Sequence, residues 1–242
     1  MKLAITSLFV VTLILAGCSG KGLVAGETPP AGEPRPVPGG EKRAEAAQRQ
    51  EDLGKSIKAG DLEAVKRTLQ EHPEALDARN LNGFTPLLLA GYHGRAEIGL
   101  YLVEAGADIE AQDPMGNNAY MAAASGGSTD LIRVLLEKGA DPRFRNRLGQ
   151  SALHQACLLG RLEAVQLLIG EGADVNAVDE SGATPLYWAA SKNQLPIAEL
   201  LIEKGAKLDV ATISQRMRPI DAARVHQHQR MVELLQDHGA DA

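Results

Sequence analysis

A period of 33 residues is the feature that most constrains the fold of this 242-residue chain. Two sets of glycines recur at this spacing: Gly83, Gly116, Gly149 and Gly182, and Gly106, Gly139, Gly172 and Gly205. The segments GFTPLLLA, GNNAYMAA, GQSALHQA and GATPLYWA occupy the same place in successive units. Such a period indicates a stack of equivalent units, each of which buries its apolar faces against its neighbours.

Each unit is predicted to contain two helices. Pro86 and Pro185 suit the first turn of a helix, where a missing N–H costs nothing. Gly94, Gly127 and Gly160 suit a left-handed residue that ends that helix. The runs LIRVLL, AVQLLI and IAELLI then predict a second helix with a wide buried stripe and one exposed position, the third.

Two units depart from this pattern. The third unit has Asn118-Ala119 in place of Thr-Pro, a change that we expect to be tolerated. Gly99 interrupts the second helix of the second unit. Because glycine costs roughly 1 kcal/mol relative to alanine inside a helix, we expect it to loosen that unit.

The period and the T-P-L-H-x-A-like core resemble the ankyrin repeat over about residues 49–242. The resemblance implies an all-α ankyrin-repeat solenoid, in which helix-turn-helix units carry short β-hairpin arms. It implies about six repeats, including two polar caps, with approximate bounds 49–79, 80–112, 113–145, 146–178, 179–211 and 212–242.

The N-terminus carries a different signal. Lys2 precedes an apolar run over residues 3–16, which is shorter than the roughly 20 residues of a membrane-spanning helix. The run suits a signal peptide. The following Leu15-Ala16-Gly17-Cys18 resembles the lipobox of bacterial lipoproteins. This resemblance implies that residues 1–17 are removed and that Cys18 bears acyl chains.

Residues 18–48 follow as a predicted linker, because proline and glycine dominate much of this stretch. We therefore expect a protein anchored by lipid at the periplasmic side of a bacterial cell envelope. Ser19 after the cysteine favours the outer membrane over the inner one, by analogy with enterobacterial sorting. The formal net charge of −6 argues against a nucleic-acid partner.

Catalytic and metal-binding patterns are absent from the sequence, so we predict a non-enzymatic protein without a cofactor or metal. The ankyrin resemblance implies that His154 forms hydrogen bonds between repeats. His226 and His228 are expected to point to different faces of a helix, because they are two residues apart. Cys157 aligns with Gly91, Ala124 and Ala190, which indicates a small buried residue.

The resemblance also implies where a partner binds, namely at the hairpin tips and the ends of the first helices. The predicted tip contacts are Leu81, Phe84, Met115, Asn117, Arg147, Leu148 and Gln150. The predicted helix-end contacts are Tyr92, His93, Leu158, Leu159 and Lys192. Several of these apolar groups face solvent in this interpretation; the alternative is that they fold inward between the tips.

Arg143, Arg145 and Arg147 alternate along one extended arm and therefore share one side of it. They could bind carboxylates in a bidentate manner, or they could be ordinary solvated charges. The predicted function is a monomeric module that binds, holds or stabilises a protein through its concave face. The alternative is an immunity protein that neutralises a toxin delivered into the periplasm, such as a secreted lipase.

Overall fold

The computed structural model describes residues 40–240, which form twelve α-helices and no regular β-strand. The helices form six successive pairs, which confirms the predicted solenoid. The pairs are α1 (Gly40–Ala59) and α2 (Leu62–Glu71), α3 (Pro86–Tyr92) and α4 (Ala96–Glu104), α5 (Ala119–Gly126) and α6 (Thr129–Glu137), α7 (Ala152–Leu158) and α8 (Leu162–Gly170), α9 (Pro185–Ser191) and α10 (Leu195–Glu203), and α11 (Pro219–Val225) and α12 (Gln229–Asp237). A 3₁₀ turn, Pro73–Ala75, follows the first pair.

The first helix begins earlier than the predicted domain boundary at residue 49. Residues 40–48, assigned to the linker from the sequence, belong to the 20-residue helix α1. Arg49 in this helix forms an ion pair with Glu74 at 3.2 Å, and the Gln50 amide donates to the Ala75 carbonyl at 3.3 Å. The predicted signal peptide, Cys18 and the rest of the linker lie outside the described residues.

The first, or inner, helices of the second and fifth pairs begin as predicted, and we call the first helix of every pair its inner helix. Thr85 and Thr184 are N-caps, and their hydroxyls accept from the N–H groups of Leu88 at 3.4 Å and Tyr187 at 3.2 Å. Prolines occupy the next positions, Pro86 and Pro185. On the second, or outer, helices, the third positions of the apolar runs are exposed: Arg133, Gln166 and Glu199.

The arms are hairpin turns rather than strands. Asn80, Asp113, Asn146 and Asp179 each open a turn by donating their N–H to the carbonyl four residues later, at 2.9–3.0 Å. Their side-chain oxygens accept from the N–H groups two and four residues on, at 2.8–3.0 Å. A side-chain-capped turn therefore supplies the short arm that the ankyrin resemblance implied as a β-hairpin.

Gly116 shows why these turns need glycine. Its φ is 81°, and a Cβ there would lie 2.8 Å from Cγ of Arg147 in the next unit. The residue that follows the turn-opening position thus covers the tip glycine of the preceding unit. The first unit has no tip glycine for Leu81 to cover, and the Leu81 side chain is 84% exposed.

Gly99 has a packing role that its helical position did not reveal. It is buried in α4, and a Cβ there would lie 2.5 Å from Cδ2 of Leu131, which is fully buried in the next unit. Helix α4 remains unbroken from Ala96 to Glu104. The missing side chain therefore admits a neighbour, which offsets the expected loosening.

Inner helices α3 and α5 meet through two glycines. A Cβ on Gly91 would lie 2.9 Å from both the Cβ of Ala122 and the backbone nitrogen of Ala123. A Cβ on Gly126 would overlap the carbonyl oxygen of Gly91 and lie 2.8 Å from the nitrogen of Gly94. The backbones of these two units are therefore in direct contact at the ends of their inner helices.

The N-cap of α5 leaves a buried donor without a partner. Asn118 Oδ1 accepts from the Met121 N–H at 3.2 Å, but its Nδ2 is buried and forms no hydrogen bond. We expect Asn118→Thr to raise the free energy of unfolding by about 1 kcal/mol, because threonine keeps the cap and removes the unsatisfied group. Urea unfolding measures this. The converse change, Thr184→Asn, should destabilise, and a less stable Asn118→Thr protein would contradict the assignment.

Candidate protein-binding face

The hairpin tips form a continuous row, because backbone hydrogen bonds join most of them. The N–H groups of Arg147, Glu180 and Ile213 donate to the carbonyls of Met115 at 3.1 Å, Leu148 at 3.0 Å and Ser181 at 2.8 Å, respectively. The residue equivalent to these donors in the third unit is Pro114, which has no N–H. There, Arg79 Nη1 links the tips instead, donating to the carbonyls of Gly83 and Gln112, both at 2.6 Å.

A polar network lies beneath this row. Asn117 Nδ2 donates to Asp113 Oδ2 at 3.0 Å, and Asn146 Nδ2 donates to Asn117 Oδ1 at 2.8 Å. Gln155 Nε2 donates to Gln150 Oε1 at 2.6 Å. Asn117 and Gln150 are therefore buried, at 4% and 5% exposed, and the expectation that they face a partner was wrong. The Asn117 amide joins neighbouring tips through Asn146, whereas the Gln150 amide accepts from Asn146 and Gln155 within its own unit.

Two of the three arginines on the extended arm, Arg145 and Arg147, form hydrogen bonds within the fold. Arg145 Nη1 donates to the carbonyls of Gly149 at 2.8 Å and Val178 at 3.0 Å, and Arg147 Nη1 donates to that of Pro114 at 2.9 Å. Arg145 and Arg147 are therefore not simply solvated charges, because Nη1 of each guanidinium bonds within the fold and is not available for a carboxylate. Within residues 40–240, only the Arg143 guanidinium of the three makes no hydrogen bond.

Aromatic and apolar side chains cover the face beside the second tip. Phe84 and Tyr92 are half-buried and meet edge to face, with ring centroids 5.8 Å apart. The Tyr92 hydroxyl donates to Asp113 Oδ2 at 2.6 Å. Burial, reinforced by the Asp113 charge, raises the pKa of Tyr92 well above its usual range. These contacts fix the two rings in place.

The remaining predicted contacts vary in exposure. Leu148 is 39% exposed, whereas Leu158 is 8% exposed and does not project as predicted, because it packs within the stack. Four others are half-buried: His93, Met115, Leu159 and Lys192. The face is thus a mixture of anchored and projecting groups.

Trp188 belongs to this face and was missed from the sequence. It is half-buried, and its Nε1 donates to Asp179 Oδ2 at 3.0 Å. The equivalent residues in other units are Leu89, Ala122 and Gln155. The large aromatic ring at position 188 was therefore the sequence feature that could have indicated a contact residue. Further exposed apolar groups that were missed are Val178, Ile213 and Val225.

His154 connects two repeats, as the resemblance implied. Its Nδ1 accepts from the Ser151 N–H at 3.1 Å, and its Nε2 lies 3.2 Å from the Ala183 carbonyl. Burial lowers the pKa of His154 to about 4. Cys157 is fully buried as predicted, and burial raises the pKa of its thiol.

His226 and His228 are arranged differently from the prediction. They lie either side of Gln227, whose φ is 58°, in the turn between α11 and α12. Their rings are stacked, with centroids 5.7 Å apart, rather than on different helix faces. In the described part of the chain, no group of three or more His, Cys, Asp or Glu could hold a metal ion. No helix there has the length and hydropathy to cross a membrane.

Comparison with known proteins identifies the repeat. A family model described as ankyrin repeats (3 copies) matches residues 120–212 and 153–242, and one described as ankyrin repeat matches residues 82–114. Serine/threonine-protein kinase VIK of Arabidopsis thaliana is 35% identical over 103 residues, 42% of this chain and 23% of the kinase. Ankyrin repeat and SAM domain-containing protein 6 of Danio rerio is 32% identical over 79 residues, 33% of this chain and 10% of that protein. The chain thus spans less than a quarter of either relative.

Proposed function

Since the chain belongs to the ankyrin-repeat family, whose members are generally non-catalytic interaction scaffolds, we propose that it binds and holds one protein partner through the tips and inner helices. The observation that carries this proposal is the exposure of Leu81 and Leu148, at 84% and 39%, on a hydrogen-bonded tip row. Projecting apolar groups with polar surroundings are what a protein interface needs.

The fixed geometry of the face supports binding without large rearrangement. Backbone bonds set the spacing of the later tips, and the buried network of Asp113, Asn117 and Asn146 holds the turns from below. A preorganised surface avoids much of the entropy cost of ordering loops on binding. An interface of standard size, about 800 Å² per partner, requires several adjacent units of such a face. The protein acts as a monomer in this proposal.

The protein works at the periplasmic side of a bacterial envelope, tethered to the outer membrane through acyl chains on Cys18. Support comes from Lys2, the apolar run over residues 3–16 and the lipobox-like Leu15-Ala16-Gly17-Cys18. Two or more chains give stable anchoring, since each buried CH₂ contributes about 0.8 kcal/mol. Tethering also raises the local concentration of the module near envelope partners.

The binding face is tested with Leu81→Ser combined with Leu148→Ser. We expect this double variant to capture the partner from periplasmic extract at least about tenfold more weakly, because each exposed anchor contributes of order 1 kcal/mol. Both side chains project, so folding should be unaffected. Arg133→Ser, at an exposed outer-helix position, is the matched control. Equal capture by the double variant and the control would exclude this face.

The anchor is tested with Cys18→Ser in the full-length chain. We expect the wild-type protein in the membrane fraction and the variant predominantly outside it, because serine cannot carry the thioether-linked lipid. Fractionation of cells, with metabolic labelling by a fatty-acid analogue, measures both properties. Equal membrane retention of an unlabelled variant would overturn the anchor while leaving the binding face untouched.

A further inference from the structure

Two guanidiniums lie on either side of the fourth hairpin tip, residues 146–150, and hydrogen bonds fix the position of each. Arg147 extends back to the third tip, where its Nη1 donates to the Pro114 carbonyl at 2.9 Å. Arg145 extends forward, and its Nη1 donates to the carbonyl of Val178, just before the fifth tip, at 3.0 Å. The two guanidiniums are therefore about one unit apart, which corresponds to about 10 Å at the usual distance between packed helices.

Each of these guanidiniums keeps a donor edge for a ligand. Both side chains are exposed, and only Nη1 of each forms hydrogen bonds within residues 40–240, which leaves Nε and Nη2. Two parallel N–H donors of this kind match the two oxygens of a carboxylate. Because Nη1 is already bonded to the main chain, the guanidinium is held in place before binding, and less side-chain entropy is lost when a ligand binds.

Acidic side chains of the described part of the chain do not neutralise this pair. Neither arginine takes part in any of the ion pairs found there. Under the neighbouring tips, Asp113 and Asp179 are buried, and both oxygens of each carboxylate accept hydrogen bonds from other groups. Exposed acids also occur on the neighbouring arms and tips without pairing with either guanidinium: Glu110, Asp141 and Glu180.

Exposed apolar groups accompany the two charges. Leu148, on the fourth tip, is 39% exposed, and Val178, whose carbonyl accepts from Arg145, is 48% exposed. The Glu180 N–H donates to the Leu148 carbonyl at 3.0 Å, so the segments that carry the two apolar residues are joined through their main chains. A protein on this surface would therefore meet apolar groups between and beside two positive charges.

We infer that the tip row binds a protein segment in which two carboxylates, about 10 Å apart, flank an apolar side chain. Each carboxylate lies on the Nε and Nη2 edge of one arginine, and the apolar side chain lies on Leu148. The inference rests on the proposed function, because it specifies the chemistry of the protein that the same face binds. A lipid phosphate suits the site less well, because one phosphate does not span both guanidiniums and the net charge of −6 disfavours an anionic bilayer.

The test uses a fluorescently labelled peptide with two glutamates on each side of a central leucine. At about 3.3 Å per residue, its carboxylates offer separations of about 7 to 13 Å. We expect the full-length chain to bind this peptide, by anisotropy, with an affinity that falls as salt is added. The matched glutamine peptide should bind about tenfold more weakly. Equal binding of the two peptides, or no binding of the glutamate peptide at millimolar concentration, would overturn the inference.

A lipid ligand is tested in the same assay with short-chain phosphatidylglycerol, which is soluble and carries one phosphate. We expect it to displace the glutamate peptide poorly. Binding of this lipid more tightly than the glutamate peptide would overturn the inference of an acidic protein segment.

Arg145→Gln combined with Arg147→Gln locates the contact. Glutamine keeps an N–H donor for the carbonyls but carries no charge, so binding of the glutamate peptide should weaken about tenfold. Urea unfolding verifies that the variant is folded. Arg133→Gln with Lys138→Gln makes the same charge change at exposed positions on and just after α6, and it should have little effect. Equal affinities of the two double variants would contradict the assignment.

Glu180→Gln gives a second test that leaves both arginines in place. Glu180 is exposed, and its Cγ would lie 3.1 Å from a Cβ built on Gly149, whose carbonyl accepts from Arg145 at 2.8 Å. Its negative charge should repel the carboxylates of the ligand. We therefore expect the variant to bind the glutamate peptide about two- to threefold more tightly, with no change for the glutamine peptide. Unchanged or weaker binding of the glutamate peptide would contradict the placement.

Capture of a partner from periplasmic extract separates this inference from the proposed function. Capture that depends on Leu81 and Leu148 but not on Arg145 and Arg147 would overturn the acidic-segment inference and leave the binding face standing. Capture that is insensitive to all four residues would overturn both. Support for the inference comes from the peptide measurements, in which the chemistry of the ligand is known.

Discussion

Gly126→Ala should lower the free energy of unfolding by about 3 kcal/mol, the upper end of the usual cost of overpacking. The new Cβ would overlap the carbonyl oxygen of Gly91 and approach the nitrogen of Gly94, both of which are backbone atoms. A flexible side chain could rotate away, but here the α3 and α5 units would have to separate. Because each unit is stabilised chiefly by its neighbours, this separation should affect the whole stack.

Gly170→Ala is the matched control for this substitution. Gly170 also ends a helix, α8, and no atom lies within 4 Å of a Cβ built there. Alanine is the better helix former, so we expect an unchanged or slightly higher stability, by up to about 1 kcal/mol. Urea unfolding followed by circular dichroism measures both variants. Similar free energies of unfolding for the two alanine variants would show that the close backbone contact does not affect stability.

Because of His154, the free energy of unfolding should fall by about 3 kcal/mol in acid. Its folded-state pKa is about 4 because the ring is buried, against 6.5 for an ordinary histidine. Between these values the unfolded chain binds a proton that the folded protein does not, so stability falls as the pH is lowered from about 6.5 to about 4. At roughly 1.36 kcal/mol per pH unit, the full loss is about 3 kcal/mol. Protonation would also place a hydrogen on Nδ1, which already accepts from Ser151.

The pH dependence can be isolated with His154→Leu. Leucine occupies the equivalent buried position, Leu88, in the second unit. The variant should be less stable than the wild type at pH 7, because it loses the bonds to Ser151 and Ala183. Its stability should nevertheless change less between pH 6.5 and pH 4. Parallel curves for the two proteins over this range would show that His154 does not titrate as a buried group.

The repeat and its core could be predicted because they follow from local periodicity. Thr85 and Pro86 begin a helix wherever they occur, and the apolar runs of the outer helices define a buried stripe without reference to other units. Cys157 and His154 were placed correctly for the same reason, since equivalent residues such as Ala124 and Ala190 for Cys157, and Leu88 and Met121 for His154, are buried. Interactions that recur in every repeat can be predicted from a single sequence.

The tips were harder to predict, because the direction of each side chain depends on the neighbouring unit. Asn117 and Gln150 occupy variable tip positions, yet their amides form hydrogen bonds with Asp113, Asn146 and Gln155. Arg145 and Arg147 likewise bond to carbonyls 33 residues away. Long polar side chains at such positions can either project or turn back, and the sequence does not distinguish these outcomes.

The start of the folded region was misplaced for a compositional reason. The stretch up to Gly40 is rich in proline and glycine, and the sequence analysis extended this linker to residue 48. Residues 41–48, EKRAEAAQ, consist of strong helix formers with no apolar stripe. The side of α1 that contacts the rest of the cap begins only at Arg49 and Gln50. Propensity extends the helix beyond the part that packing requires.

Because of the proline at position 114, the links between neighbouring hairpin tips differ along the solenoid. Between the later tips, a backbone bond joins one turn to the next, and among single substitutions proline at the donor position removes it. Between the second and third tips, side chains form the links instead: Arg79 donates to the carbonyls of Gly83 and Gln112, and Tyr92 donates to Asp113. Substitution of Arg79 or Tyr92 can therefore alter how the tip that carries Leu81 is held, whereas the later tips also keep a main-chain link.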